Sequence, residues 1–172
     1  MQDETIVRLF PALRRAWSRQ GVQASVGVSG RNDQRVLSCT LDIRSGEIVT
    51  LIHRRMNSKG FQQFLALVRT RYGVSPVVML LDGGSLHRAR ASTKRARELG
   101  ILLMELPRQC PELNAVDHLW RSVKSDVSAN YQYPTIDAHA QKALQYVSDL
   151  IPKERVIRAG VHSSGFWLKK FL

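Results

Sequence analysis

The apolar positions of this chain fall into runs whose spacing predicts the elements. Pro76-Val77-Val78-Met79-Leu80-Leu81 ends on Asp82 and breaks at Gly83-Gly84. A run so short, bounded by Pro and Gly, reads as a buried strand rather than a helix. Asp82 therefore stands at the carboxyl end of a core strand, the edge at which open α/β sheets bind ligands. Ile101–Leu106 repeats the pattern and runs into a loop confined by Pro107 and Pro111. From Glu112 onward Leu113, Val116, Leu119, Trp120 and Val123 recur at helical spacing, which puts Asp117 in the first turns of a helix.

Three stretches, Val22–Val28, Arg35–Ile43 and Gly46–Ile52, alternate apolar and polar residues and predict an antiparallel meander. Asp33 and Asp42 border its turns, where Asp bonds nearby backbone, and they are assigned no chemistry. Phe61, Phe64, Leu65 and Val68 predict an amphipathic helix over Ser58–Tyr72, with Ser58 as its cap and the aromatic pair in the core. Arg88–Leu99 reads as a basic helix ending at Gly100, either a solvated face or a phosphate-binding one. Thr135 caps a helix reaching about Leu150, and another follows Pro152. His139 and His162 have no metal-ligand spacing. Strands interleaved with helices in this order suit an α/β domain with a mixed sheet.

Composition narrows the partners. At 172 residues the chain suits one domain, and 26 Lys and Arg against 14 Asp and Glu give a net charge of +12, which points to a polyanion such as DNA. Its basic residues are scattered rather than gathered on one amphipathic face, which argues against a membrane surface. Cys39 and Cys110 are too few for a disulfide framework, so the expected setting is reduced and cytoplasmic. No signal peptide and no long apolar run direct the chain to a membrane.

Several features combine with specific spacing: Asp3-Glu4, the strand ending on Asp82, His87 five residues later, the loop Pro107-x-x-x-Pro111-Glu112-Leu113-Asn114, then Asp117, Trp120 and Lys124. Together they resemble the catalytic domain of a DDE-superfamily transposase, in the bacterial insertion-sequence group related to the mariner elements. The resemblance covers most of the chain, to Phe166-Trp167. It implies a ribonuclease-H-like α/β fold, a mixed sheet flanked by helices, with residues 1–172 as a single catalytic domain.

By the same resemblance, Asp3, Asp82 and Asp117 are the catalytic carboxylates and hold two Mg2+ or Mn2+ ions, with His87 and Asn114 in support. Arg88, Arg90, Lys94, Arg108, Arg121 and Lys124 are the candidate DNA contacts. The expected partners are transposon ends and target DNA, with a homodimer as the candidate assembly and a nucleoid-associated place in a bacterial cell. Only Met1 and Gln2 precede Asp3, so the first core strand is expected to be truncated and the family's helix-turn-helix region absent. Gly83 stands where the family has Asn, Gln109-Cys110 where an aromatic and Ser are common, Ala115 where it has Pro, and Asp117 where many relatives have Glu.

The chemistry explains the residue types. In-line displacement at a phosphodiester builds charge on the entering and leaving oxygens, and paired divalent ions stabilise both. Magnesium prefers oxygen ligands and keeps several waters, so a few carboxylates on separate elements suffice. The competing reading is a DNA-binding remnant without turnover. A different ribonuclease-H-like nuclease, such as a junction resolvase, is disfavoured by the Pro-Glu-Leu-Asn loop and its Trp.

Overall fold

A computed structural model of the chain describes residues 1–171. Its strands are β1 (Gln2–Arg8), β2 (Gln34–Leu41), β3 (Ile48–His53), β4 (Val77–Leu81) and β5 (Ile101–Glu105). Its α-helices are α1 (Ser58–Tyr72), α2 (Ser85–Arg88), α3 (Arg90–Glu98), α4 (Ala115–Asp126), α5 (Ile136–Asp149) and α6 (Pro152–Arg158). Strands β1, β2 and β3 form an antiparallel meander, whereas β4 and β5 pair in parallel. The mixed character expected of the sheet is thus divided between two ladders, with β4 lying beside β1.

Helices cover both faces. Leu37, Cys39 and Leu41 of β2 pack with Val116, Leu119, Trp120 and Val123 of α4 and with Ala140, Ala143 and Val147 of α5. A second cluster joins Phe61, Phe64, Leu65 and Val68 of α1 to Met79, Leu81 and Ile101 of the parallel pair. Trp120, Leu119 and Phe64 are fully buried, so the helical repeats in the sequence are core stripes. Among the described residues no helix is long and apolar enough to cross a membrane.

The strands at Pro76–Leu81 and Ile101–Leu106, the helix over Ser58–Tyr72 and the Thr135 cap all form as the patterns predict. Five expectations are corrected. The short lead-in to Asp3 predicts a truncated strand, yet Asp3 is the second residue of a seven-residue strand paired to β2 along its whole length. The residues after Asp3 build it, with Thr5 and Val7 turned inward and Ile6 and Arg8 outward. Val22–Val28 forms no strand: Val22 and Val28 are exposed, and β2, which pairs with both β1 and β3, leaves that stretch no partner.

The cap of α1 is Asn57, not Ser58: its Oδ1 accepts from the Gly60 N–H at 2.8 Å. Finally, the basic helix is broken at Ala89, whose extended ψ of 134° separates α2 from α3. The apolar repeat beginning at Leu113 likewise starts in a 3₁₀ turn, Pro111–Leu113, before α4 begins at Ala115.

Candidate active site

At the carboxyl end of β4 the chain turns through Gly83-Gly84 into α2. Asp82 Oδ1 accepts from the Gly84 N–H at 2.9 Å and from His87 Nδ1 at 2.8 Å. Gly84 is needed for its size: a Cβ there would lie 2.9 Å from Asp82 Oδ1 and 3.3 Å from His87 Nδ1, in the path of that bond. The other ring nitrogen, Nε2, stands 3.3 Å from both carboxylate oxygens of Glu4 on β1. Phe61 packs edge-on against the ring with centroids 4.6 Å apart. Carboxylates only accept, so both ring nitrogens donate and His87 is held as the imidazolium. Burial pulls its pKa down, but the bonds to Asp82 and Glu4 outweigh burial and raise it to about 9. In return the bond from His87 holds the Asp82 carboxyl below its ordinary range.

Asn114 delivers the third element. Its Oδ1 caps α4 by accepting from the Val116 N–H at 3.1 Å, and its Nδ2 donates to the Gln2 carbonyl of β1 at 2.8 Å. Asp117, in the first turn of α4, is thereby tied to the strand that bears Asp3. The turn before Asn114 is held from outside by the Trp167 indole, which donates to the Leu113 carbonyl at 2.9 Å.

These elements wall one open cleft of about 420 Å³, lined by Asp3, Asp82, Asn114 and Asp117 together with Arg88 and Arg108. Asp3 carries the electrostatic cost. Burial raises its pKa to about 7, with further upward contributions from the charges of Glu4, Asp117 and Asp82. Asp117 is partly neutralised by Arg121, which donates to its Oδ2 at 2.6 Å. Among the described residues no three His, Cys, Asp or Glu side chains converge into a ready-made metal cage. The donor set is instead an open wall of carboxylate oxygens carried on three elements.

Of the residues singled out in the sequence, Asp3, Asp82, Asp117, Asn114, Arg88 and Arg108 line the cleft, and His87 lies buried behind it. Arg90 and Lys94 lie exposed on α3, Lys94 being 3.9 Å from Glu98, and Lys124 is exposed on α4. Arg121 engages Asp117 rather than projecting free. Sequence reasoning passed over Glu4 and Gly84. A signal existed for Glu4: neighbours in a strand face opposite ways, so with Asp3 on the face of Thr5 and Val7 its neighbour Glu4 must point to the other face, away from Asp3.

Similarities to known proteins agree with this geometry. Residues 1–139 match the family described as DDE superfamily endonuclease. The chain is 20% identical over 153 residues to an uncharacterised 39 kDa protein of insertion element IS630 from Shigella sonnei, covering 88% of this chain and 45% of that protein. It superposes on the mariner Mos1 paired-end complex with Mg (TM-score 0.72, 17% identity) and on the Mos1 strand transfer complex (0.71, 18%). In both, 92% of this chain is covered, against 50% and 49% of the Mos1 chain, so the chain spans about half the length of these relatives. The likeness of fold bears out the expectation of a ribonuclease-H-like α/β domain. With the family matched over most of its length, and with Asp3, Asp82 and Asp117 on one cleft, the chain belongs to the DDE superfamily of endonucleases.

Proposed function

We propose that this chain is the catalytic domain of a transposase, which cleaves DNA phosphodiesters and joins the freed 3′ end to target DNA with divalent metal. The observation that carries the reading is that three carboxylates, from β1, the end of β4 and the first turn of α4, line one cleft flanked by arginines. Asp3, Asp82 and Asp117 are the residues that hold two Mg2+ or Mn2+ ions. The fit rests on the donor set: Asp3 is kept from ionising by burial and by neighbouring negative charge, a deficit that a cation relieves. An open wall also suits magnesium, which binds through one or two carboxylates and retains water. When bound, such ions stabilise the entering and leaving oxygens of the displacement.

The chain's own residues do the rest. Arg88 and Arg108 bind the phosphates beside the cleft and orient the scissile group, and the net charge of +12 adds a sequence-independent attraction to DNA. His87 and Gly84 hold Asp82 Oδ1, so that this carboxylate keeps one orientation. The Mos1 relatives support this reading, being complexes with transposon ends and with Mg. A binding-only remnant has no observation in its favour. The test is nicking of supercoiled plasmid by the purified chain with Mg2+, and by Asp82→Asn and Asp117→Asn. Both variants should stay folded and lose metal-dependent nicking; an Asp82→Asn protein as active as the parent would overturn the reading.

A further inference from the structure

Glu4 follows Asp3 on β1 but lies on the other side of the strand, in a small recess with Ser38, His53, Phe61 and Leu86. Its side chain is 7% exposed and that of His87 only 2%. Burial of a carboxylate at this depth is costly, and it is met here by two partners. Gln2 Nε2 donates to Glu4 Oε1 at 2.7 Å, and His87 Nε2 sits 3.3 Å from both oxygens. At its opposite end the same ring grips Asp82 Oδ1 at 2.8 Å. Among the described residues no hydrogen bond falls on Asp82 Oδ2.

We propose that Glu4 is a positioning residue for the cleft: its carboxylate fixes the ring of His87, and His87 fixes Asp82 so that Oδ2 stays available to a ligand. The proposal rests on the reading of Asp82 as a metal-binding carboxylate. A ring pinned at both nitrogens cannot flip or rotate about its Cβ–Cγ bond without breaking a buried bond. With Glu4 removed, Nε2 would be buried with no acceptor, and the ring would gain freedom at the expense of Asp82. Groups behind a metal ligand act in this way, orienting it and tuning its basicity. The tie extends further, since Gln2, which holds Glu4 through its side chain, also receives Asn114 through its carbonyl. One polar chain, Asn114–Gln2–Glu4–His87–Asp82, buried except at Asp82, thus joins all three elements that bear the cleft carboxylates.

The test is Mn2+ binding to the full chain, followed by electron paramagnetic resonance of free Mn2+, for the parent, Glu4→Met, Glu4→Ala, His87→Asn, the double variant Glu4→Met/His87→Asn, and Asp82→Asn. Glu4→Met, which keeps the length of the side chain but offers no oxygen acceptor, should weaken binding about 10- to 100-fold, and the double variant should bind no worse than His87→Asn alone. Nicking should lose kcat with KM for DNA unchanged. In the metal-free protein a slowly exchanging His87 ring N–H proton resonance should be present in the parent and absent in Glu4→Ala. Should Glu4→Ala fail to fold, the near-isosteric Glu4→Met decides. Parent-like Mn2+ affinity in Glu4→Met, or losses that add in the double variant, would overturn the inference while leaving the Asp82 assignment standing. Parent-like affinity in Asp82→Asn would overturn both.

Discussion

The Asn114 side chain spans two elements at once, its Oδ1 on the Val116 N–H at 3.1 Å and its Nδ2 on the Gln2 carbonyl at 2.8 Å. A helix cap is thereby also the brace between the helix of Asp117 and the strand of Asp3. Loss of a cap costs about 1 kcal/mol, and a buried carbonyl left unpaired about 1–3 kcal/mol. We expect Asn114→Ala to destabilise the fold by about 2–4 kcal/mol in urea unfolding. Asn114→Asp keeps the cap but sets an acceptor against the Gln2 carbonyl, so it should lose nicking activity and part of the stability. An Asp variant with parental activity would show that the brace is dispensable.

The two glycines after Asp82 should respond differently to a methyl group. At Gly84 the new Cβ meets Asp82 Oδ1 at 2.9 Å, an atom held by two hydrogen bonds, whereas at Gly83 it meets only the end of the Glu105 side chain at 3.0 Å. Overpacking of a held contact costs about 1–3 kcal/mol. Gly84→Ala should lower thermal stability and nicking together, while Gly83→Ala leaves both near the parent. Equal behaviour of the two variants would refute the steric account.

The contributions of Asp3 and His87 to the stability of the metal-free protein should fall as pH rises. Asp3 titrates near 7 in the fold against 3.8 for its ordinary value, so the folded state holds the extra proton, and stability is lost between about pH 4 and 7. His87, raised from 6.5 to about 9, contributes stability that is complete below pH 6.5 and is lost as pH rises through about 9. The Met1 amine, lowered by burial to about 6, and His53 and His139, also lowered by burial, work in the opposite sense. The Asp3 contribution is therefore read as the difference in urea midpoint between the parent and Asp3→Asn in EDTA. The parent's advantage should shrink between about pH 4.5 and 7, and Mg2+ should offset the loss. A difference independent of pH over that range would contradict the burial of Asp3.

Arg121 and a bound cation compete for the Asp117 carboxylate, which Arg121 holds at 2.6 Å. Since Arg121 is more than half exposed, the pair is worth at most about 1 kcal/mol. Arg121→Gln should tighten Mn2+ binding up to about fivefold. Weaker binding would mean that the arginine orients Asp117 for metal rather than competing with it.

DNA affinity should be steeply salt-dependent and nearly blind to sequence, because the basic residues are spread along the chain. Arg88→Ala and Arg108→Ala, at the cleft, should each lower the slope of log affinity against log salt by about 1. Fluorescence anisotropy with unrelated duplexes at several salt concentrations measures this. An unchanged slope in both variants would place the DNA elsewhere.

Much of this protein is determined locally. The runs ending at Leu81 and Leu106 are uninterrupted apolar segments between breakers, and the helix over Ser58–Tyr72 repeats its apolar residues at helical spacing, so neighbours in the chain suffice to specify them. Asp82 and Asp117 were legible for the same reason, each standing at the boundary of such a segment. What tertiary structure decided is whatever needed a partner distant in sequence. Val22–Val28 alternates like a strand but finds no ladder, while Gln2–Arg8 becomes one because β2 pairs with it, Asp3 opposite Cys39. Glu4 is silent beside Asp3 until folding brings His87, 83 positions away, within 3.3 Å. A carboxylate acquires its role from the groups that desolvate it and pair with it, and these are assembled only when strands, turn and helix close around the cleft.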